Sequence, residues 1–480
     1  MTLIEEVRSE APLYVQIAAT VTRQVANGAL RSGDRVPSLR RLSRQHGVSM
    51  STALQAYLWL ESRGYLEARP QSGFYVRTPF SRQIPEPQFV PRHPRPTALG
   101  TDAILSDIIA SAEDPANVPF GAGTGSPELF PNRRLSLISR RIIRRDPEHS
   151  SHYAFPPGAE TLRRQIARRS AEIGCHWSPA EITITCGALE AINLALRAVA
   201  RPGTVIAVES PTYFGILGTA ASLGMKIIEI PTHPQQGMDL SALDRAIRRH
   251  HVKVCITMTN CQNPLGYVLA DGYKQALVQL AERHNVVVIE DEVYADLAFQ
   301  GPRPRALKSF DRKGLVLLCS SVSKTLSPGL RIGWVVAGPF HAQVERLKLL
   351  TTVATAGLPQ AVVAEFLESG GYERHLKRLR TKLGGQMEAV RQAIAKYFPA
   401  ETRVSRPAGG YMLWVQLPDC MNALELYRAA LARHISILPG TMFSATGRFK
   451  NCIRINCGHT WSDAHDRALL TLGRLCEKLA

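Results

Sequence analysis

Residues 320–334 read SSVSKTLSPGLRIGW, and the fold of most of the chain is decided by what surrounds that lysine. Lys324 follows an apolar run, LVLLCSS (315–321), which has the composition of a strand buried on both faces. Ser321 and Ser323 lie beside it, and Arg331 comes seven positions later. A lysine desolvated at such a strand end condenses with aldehydes as a Schiff base, and a guanidinium nearby binds phosphate through two parallel bonds. Alone the lysine carries little, because most lysines are solvated surface charges.

Chemistry-bearing residues recur at the ends of the neighbouring apolar runs. VVVIEDEVYADL (286–297) places Asp291 at a strand end with Tyr294 three residues on, TNCQNPLG (259–266) places Asn263 after a strand, and SPTYFG (210–215) offers Tyr213. TITCGALEAINLALRAVA (183–200) is a strand, a glycine turn and a helix, whose first free amides at Gly187 and Ala188 form a phosphate cradle. Together these are a carboxylate for a pyridine nitrogen, an amide and a phenol for a ring hydroxyl, an aromatic face for stacking, and an amine for an aldehyde. With the phosphate cradle they make the parts of a pyridoxal 5'-phosphate site. Each has a plainer reading: a strand-end aspartate is often a helix cap, and a glycine turn often only a turn. The ordered set argues for the cofactor.

The runs EITITC, TVIAVES, KIIEIP, KVCITM, VVVIED and LVLLCSS interleave with helical patterns from about residue 109. That alternation predicts an α/β domain over 109–480, with a mainly parallel sheet, helices on both faces and ligand chemistry at the strand ends. RVSRPAGGYMLWVQL (403–417) and CIRINCG (452–458) add strands of a smaller carboxy-terminal subdomain. Upstream, residues 77–108 carry prolines at 79, 85, 87, 91, 94 and 96 with little periodicity, so they read as an extended, semi-rigid linker.

Residues 1–76 are built differently. PLYVQIAATVTRQVANG (12–28) spaces Leu13, Ile17, Val21 and Val25 as an amphipathic helix ending at Gly28. A turn at Ser32 to Asp34, a short helix from Ser38, a tight turn at Gly47, a longer helix from Ser49 and a hairpin with Ser72 and Gly73 at its tip complete the order of a winged helix-turn-helix. In such a unit the start of the last helix enters the major groove. Ser49, Ser51 and Thr52 stand there, Arg40, Arg41 and Arg44 lie on the preceding helix, and Arg69, Gln71, Ser72 and Gly73 form the wing. These are the candidate DNA contacts; the plainer reading is helix caps and a solvated face.

The stretch GDRVPSLRRLSRQHGVSMSTALQAYLWLESRGYLEARPQSGFYV (33–76) resembles the DNA-binding domain of GntR-type bacterial transcription regulators. Met50 departs from it, standing where many members have an arginine, and Leu54 is apolar where some carry a basic residue. Tyr153, Gly187, Tyr213, Asn263, Asp291, Tyr294, Lys324, Arg331 and Arg454 follow in chain order the motif set of fold-type I aminotransferases. By that resemblance Tyr153 in SHYAFPPGAETLR reaches the phosphate of a neighbouring subunit, and Arg454 in NCIRINCG clamps a substrate carboxylate. The whole chain is similar to the MocR subgroup of GntR-type regulators. The resemblance implies a homodimer, head-to-tail and domain-swapped, that binds a double-stranded DNA operator and pyridoxal 5'-phosphate. It also implies sensing of an amino acid or amine, or the cofactor itself, through aldimine exchange at Lys324. An active amino-acid aminotransferase with an accessory DNA-binding domain stays open, with Lys324, Asp291 and Tyr294 as its catalytic residues.

Composition agrees with a polyanionic partner. Lysines and arginines number 58 against 40 acidic residues, a formal charge of +18, within a chain 45% hydrophobic and ample for a core. Nine cysteines without a CxxC pair fit reduced thiols rather than a disulfide framework or a metal site. The opening MTLIEEVRSE is acidic where a signal peptide would be basic and then apolar, and no run approaches a membrane span, so a cytoplasmic protein is expected. Arginine pairs recur early in the large domain, and Arg134, Arg141 and Arg145 fall on one helical face, which either extends the DNA-contacting surface or, the plainer reading, is a solvated helix face or makes salt bridges across a dimer.

Overall fold

The computed structural model describes residues 12–27, 29–31, 33–62, 65–69, 72–76, 84–88, 94–97, 108–112, 114–148 and 151–479. The chain divides into two compact units, Met1–Gln83 with Thr381–Tyr397, and Ile84–Arg380 with Phe398–Ala480.

In the first unit α1 (Leu13–Ala26) opens on Pro12, where a missing amide costs nothing. α2 (Leu39–His46) is capped by the Ser38 hydroxyl, which accepts from the Arg41 amide, and stops at Gly47 in the left-handed region (φ 62°). α3 (Met50–Ser62) follows, then β1 (Leu66–Arg69) and β2 (Gly73–Val76), an antiparallel pair with Arg69 opposite Gly73. Ile17, Val21, Leu42, Ala53, Tyr57, Leu60, Leu66 and Val76 form one core. Leu13, grouped with Ile17 and Val21 by its spacing, is 60% exposed instead. A step of four overshoots a helical turn by about 40°, so the ends of a 4-4-4 row lie about 120° apart and cannot all face one core. The order of elements is that of a winged helix-turn-helix. Gly28, Ser32 and Gln71 lie outside the described residues.

The second unit is built on an eight-stranded sheet. Its strands are β3 (Ile182–Thr185), β4 (Val205–Ser210), β5 (Lys226–His233), β6 (Gly237–Met238), β7 (Val254–Thr257), β8 (Val287–Asp291), β9 (Val316–Ser321) and β10 (Gly333–Val336), in the spatial order β3-β10-β9-β8-β7-β4-β5-β6. The pairs β9-β8, β8-β7, β7-β4 and β4-β5 are parallel, while β10 runs antiparallel to both its neighbours. The strands read as continuous apolar runs because helices cover both faces, giving one core around Ile192, Val208, Ile256 and Leu317 and another around Ile228, Leu243, Val278 and Val288. A four-stranded sheet, β11 (Arg403–Val404), β12 (Met412–Gln416), β13 (Leu438–Pro439) and β14 (Cys452–Asn456), in the order β11-β12-β14-β13, forms the smaller subdomain.

The described part of the proline-rich segment is laid along this unit. Pro85 O accepts from Val404 N at 2.9 Å, the Gln88 amide donates to Gln416 Oε1 at 2.8 Å, and Thr97 bridges Ile227 on β5.

The arginine face on α4 (Asn132–Arg145) meets a neighbouring helix. Arg141 and Arg145 both pair with Glu365 of α5 (Gly357–Glu368), and Arg134 donates to Ser369 at 2.7 Å while its guanidinium lies over the Phe366 ring. Arg141 and Arg145 nevertheless stay 63% and 66% exposed, two cations sharing one Glu365 carboxylate more than 200 residues away in sequence. Among the described residues no helix is long and apolar enough to cross a membrane, and no histidine, cysteine, aspartate and glutamate group is arranged to hold a metal ion. None of the nine cysteines is joined in a disulfide.

Candidate functional site

The strand ends converge as their sequence implies. Ala188, Tyr213, Asn263, Asp291, Tyr294, Ser321, Lys324, Arg331 and Arg454 line one cavity of about 300 Å³. A larger groove of about 530 Å³, lined in part by Pro87, Gln88, Trp414 and Arg448, contains none of them, so the chemistry singles out the smaller space.

Asp291, the last residue of β8, is 3% exposed, and its Oδ1 accepts from the Val293 amide at 3.1 Å. Burial pushes its carboxyl up to about 7; the Val293 bond and nearby Lys324 oppose that rise, and buried Glu209 adds to it. A carboxylate so deprived of water waits for a cation, as a protonated pyridine nitrogen would be. Asn263 is buried with its Oδ1 unpaired, a polar atom that lacks a partner the protein does not supply. Tyr294 is fully buried, its ring edge-on to Tyr411 at 5.4 Å, and burial raises its phenol well above the ordinary value.

The phosphate end is shaped by backbone. Gly187 (φ 80°) begins the helix Ala188–Val199, and a side chain there would run into the Arg331 guanidinium. Arg331 Nη2 donates to Cys186 O at 3.0 Å, which sets that guanidinium against the helix start where free amides and the helix dipole favour an anion. Gly333, at the start of β10, approaches the Gly187 backbone so closely that no side chain fits between them. The Ser321 hydroxyl accepts from the Ser323 amide at 3.3 Å, fixing the turn that presents Lys324.

Lys324 Nζ donates to Gly123 O at 2.7 Å and lies 5.8 Å from the Tyr294 ring centre. Arg454 is 1% exposed, donates through Nη2 to Gly121 O at 2.6 Å and Ala122 O at 2.8 Å, and keeps Nε unpaired. Two residues along the same strand, Asn456 Nδ2 donates to Ala122 O and Thr124 O at 2.9 and 2.6 Å. Residues 121–124 are therefore a strap clasped by Lys324, Arg454 and Asn456 together. Sequence reading missed this strap and Asn456, although strand alternation from Arg454 could have found the latter. Also missed were Thr325, Tyr372 and His375: the Tyr372 hydroxyl meets Thr325 Oγ1 at 2.8 Å, and His375 Nε2 meets Thr325 O at 2.6 Å, immediately after the lysine.

Tyr153 is not brought to this cavity. It is 72% exposed beside Phe155, which is 54% exposed, with ring centres 5.4 Å apart. In the winged unit Ser49 caps α3 by accepting from the Thr52 amide at 3.1 Å, and its hydroxyl lies 2.7 Å from that of Ser51 and 2.8 Å from that of Thr52. Arg40, Arg41 and Arg44 are exposed on α2; at the wing, Ser72 Oγ meets the Tyr75 hydroxyl at 2.6 Å and Gly73 has φ 108°.

An unpaired buried amide oxygen, a buried strand-end carboxylate, a glycine cradle braced by arginine and a lysine at the cavity wall fit pyridoxal 5'-phosphate. Known proteins agree. Residues 131–469 match the profile of aminotransferase class I and II, and residues 13–76 that of bacterial regulatory proteins of the gntR family. The chain is 40% identical over 465 residues to an uncharacterized HTH-type transcriptional regulator, YdcR of Escherichia coli, covering 97% of this chain and 99% of the relative. It is 25% identical to the probable rhizopine catabolism regulatory protein MocR of Rhizobium meliloti, over 90% of this chain and 87% of that one. Among solved structures, LysN, the α-aminoadipate aminotransferase of Thermus thermophilus, complexed with N-(5'-phosphopyridoxyl)-L-leucine, is 28% identical with a TM-score of 0.73, covering 79% of this chain and 95% of that one.

Proposed function

Since the chain belongs to the MocR subgroup of GntR-type regulators, with a fold-type I aminotransferase domain that takes pyridoxal 5'-phosphate, we propose that it is a transcription regulator whose DNA binding responds to an amino acid or amine captured at Lys324. The observation that carries this reading is the convergence of Lys324, Asp291, Asn263, Arg331 and Arg454 on one cavity in a chain that begins with a winged helix-turn-helix.

When bound, pyridoxal 5'-phosphate supplies an aldehyde carbon that condenses reversibly with primary amines. The chain's own groups do the rest. Gly187, Ala188 and Arg331 hold the phosphate, with Ser321 beside the lysine turn. Asp291 would keep a proton on the ring nitrogen, Asn263 and Tyr294 would hold the ring hydroxyl, and the Tyr213 ring would cover a face. Lys324, once displaced by an incoming amine, would again be the free amine that donates to Gly123 O. Arg454 would donate to the effector's carboxylate in exchange for the carbonyls of Gly121 and Ala122. Both exchanges would act on the strap 121–124, which supports a coupling of effector capture to strap position.

Leu438 lies opposite Arg454 in the β13-β14 register, and Ile109, Ala112, Gly121 and Gly123 line the same cavity. Its charged lining residues among those described are Asp291, Lys324, Arg331 and Arg454, of which the first three are taken up by the cofactor reading. This supports an effector with one carboxylate and an uncharged side chain, since a second charge buried there would lack a partner. Ile109 follows the linker directly in sequence, and the linker is bonded at Val404 and Ile227, which supports it as the route to the DNA-binding unit. An effector shifts such an equilibrium only by its differential affinity for the two states, about 1.4 kcal/mol for a tenfold change. The exposed Tyr153 and Phe155 support the head-to-tail dimer, in which that segment serves a second subunit's phosphate.

The test is a titration of the cofactor-loaded protein with primary amines and amino acids, following visible absorption and DNA binding in the same samples. An absorption change with no change in DNA binding at any concentration would leave an enzyme and remove the regulator.

A further inference from the structure

α3 is the helix whose first turns face the duplex in a winged helix-turn-helix. Its inward face is fixed by Ala53, Ala56, Tyr57 and Leu60, all 0% exposed, with the Tyr57 hydroxyl donating to Pro37 O at 2.7 Å. Exposed along one flank of the helix are Met50, Leu54 and Leu58 at steps of four, 44%, 38% and 49% exposed, with Ser51 and Gln55 exposed beside them. Three residues at steps of four span about 80° around the helix axis, so they form one row. No lysine or arginine occurs anywhere in α3. The cations are one helix away, on α2, where Arg40, Arg41 and Arg44 are exposed.

This division of labour has a chemical reading. Arginines on α2 suit phosphates, which position a protein on the duplex without reading sequence. The groove-facing row suits a base edge that is apolar, and in the major groove only thymine presents one, its C5-methyl group. Glutamine beside the row matches the paired donor and acceptor edge of adenine, whereas guanine is most often read by arginine or lysine, which α3 lacks. We propose that the protein reads A·T base pairs by seating thymine methyl groups against Met50 and Leu54, with Gln55 on an adjacent adenine. The inference rests on the DNA-binding reading above and is independent of the effector.

The experiment uses the full-length, cofactor-loaded protein and a duplex pool with a randomised centre. The best selected duplex is then remade with each thymine replaced singly by uracil, which removes only the methyl group, and binding is measured by fluorescence anisotropy at fixed salt. At least one such replacement should weaken wild-type binding about fourfold, the worth of one buried methyl. The same replacement should cost nothing in Met50→Ala or Leu54→Ala, whose exposed positions spare the core. Leu54→Arg should enrich guanine at that position and steepen the salt dependence by about one counterion. Selected sites read at guanine-cytosine pairs, or uracil tolerated at every position, would overturn the inference while leaving DNA binding intact. A pool from which nothing is selected would overturn both.

Discussion

Replacing Asp291 with asparagine should stabilise the cofactor-free protein at pH 8 far more than at pH 5. The carboxyl is buried and its pKa stands at about 7 in the folded chain, whereas an unfolded aspartate titrates near 4. Between those values the folded state holds a proton that the unfolded state has released. Stability contributed by the protonated group is therefore complete below about pH 4 and is lost as pH rises toward about 7. From pH 5 to pH 8 the wild type crosses about two pH units of that window, or roughly 2.7 kcal/mol at 1.36 per unit. Asparagine does not titrate, and its side-chain oxygen can still accept from the Val293 amide that Asp291 now accepts from. Other ionisable groups are common to both proteins and cancel in the difference. Urea unfolding of both, stripped of cofactor and at equal concentration, measures it at the two pH values. An asparagine effect that is the same at pH 5 and pH 8 would show that Asp291 is not held as a desolvated acid, and the argument for a ring-nitrogen partner would lose its physical basis. With saturating cofactor the sign should reverse, because asparagine cannot keep a proton on the ring nitrogen.

Other outcomes follow from the same contacts. Lys324→Ala should retain its fold but lose the visible absorption of a cofactor held as an imine; persistence of that absorption assigns the linkage to another amine. Arg454→Met should lower the preference for carboxylated over plain amines by about 10- to 100-fold, the worth of a charge-assisted bond, as read from absorption titrations. It should also cost about 1–3 kcal/mol in unfolding, because Gly121 O loses its donor while Ala122 O keeps Asn456. Ile109→Arg, at a position 42% exposed, should bring dicarboxylic amino acids up to the affinity of apolar ones, and an unchanged ranking would put the effector side chain elsewhere. Tyr372→Phe should cost about 1–3 kcal/mol through the lost bonds to Thr325 and Asp296, and cofactor affinity should fall with it; full affinity would detach Thr325 from the site.

Most of the candidate site was legible because its residues carry distinctive side chains placed where a parallel sheet puts ligands, at strand ends in chain order. Lys324, Asp291 and Asn263 needed only the apolar run before each to be located, and Arg331 its spacing from Lys324. What stayed hidden has a common physical character. The strap 121–124 holds Lys324 and Arg454 through carbonyl oxygens, and a carbonyl has no residue type to betray it. Strand β10 was passed over because it continues the turn that carries Arg331 and begins with a glycine, which ordinarily weakens a strand; here Gly333 is required by the backbone of Gly187 pressed against it. The arginine row on α4 was only half legible. Its spacing was read correctly as one face, but the sign of what faces it depends on Glu365, which no local pattern connects to Arg141. Local spacing therefore tells which side chains stand together, and only the fold tells what they stand against. That is why Met50 and Leu54, noticed in the sequence merely as absent arginines, acquire a positive meaning once α3 is seen to turn Tyr57 and Leu60 inward and leave those two facing out.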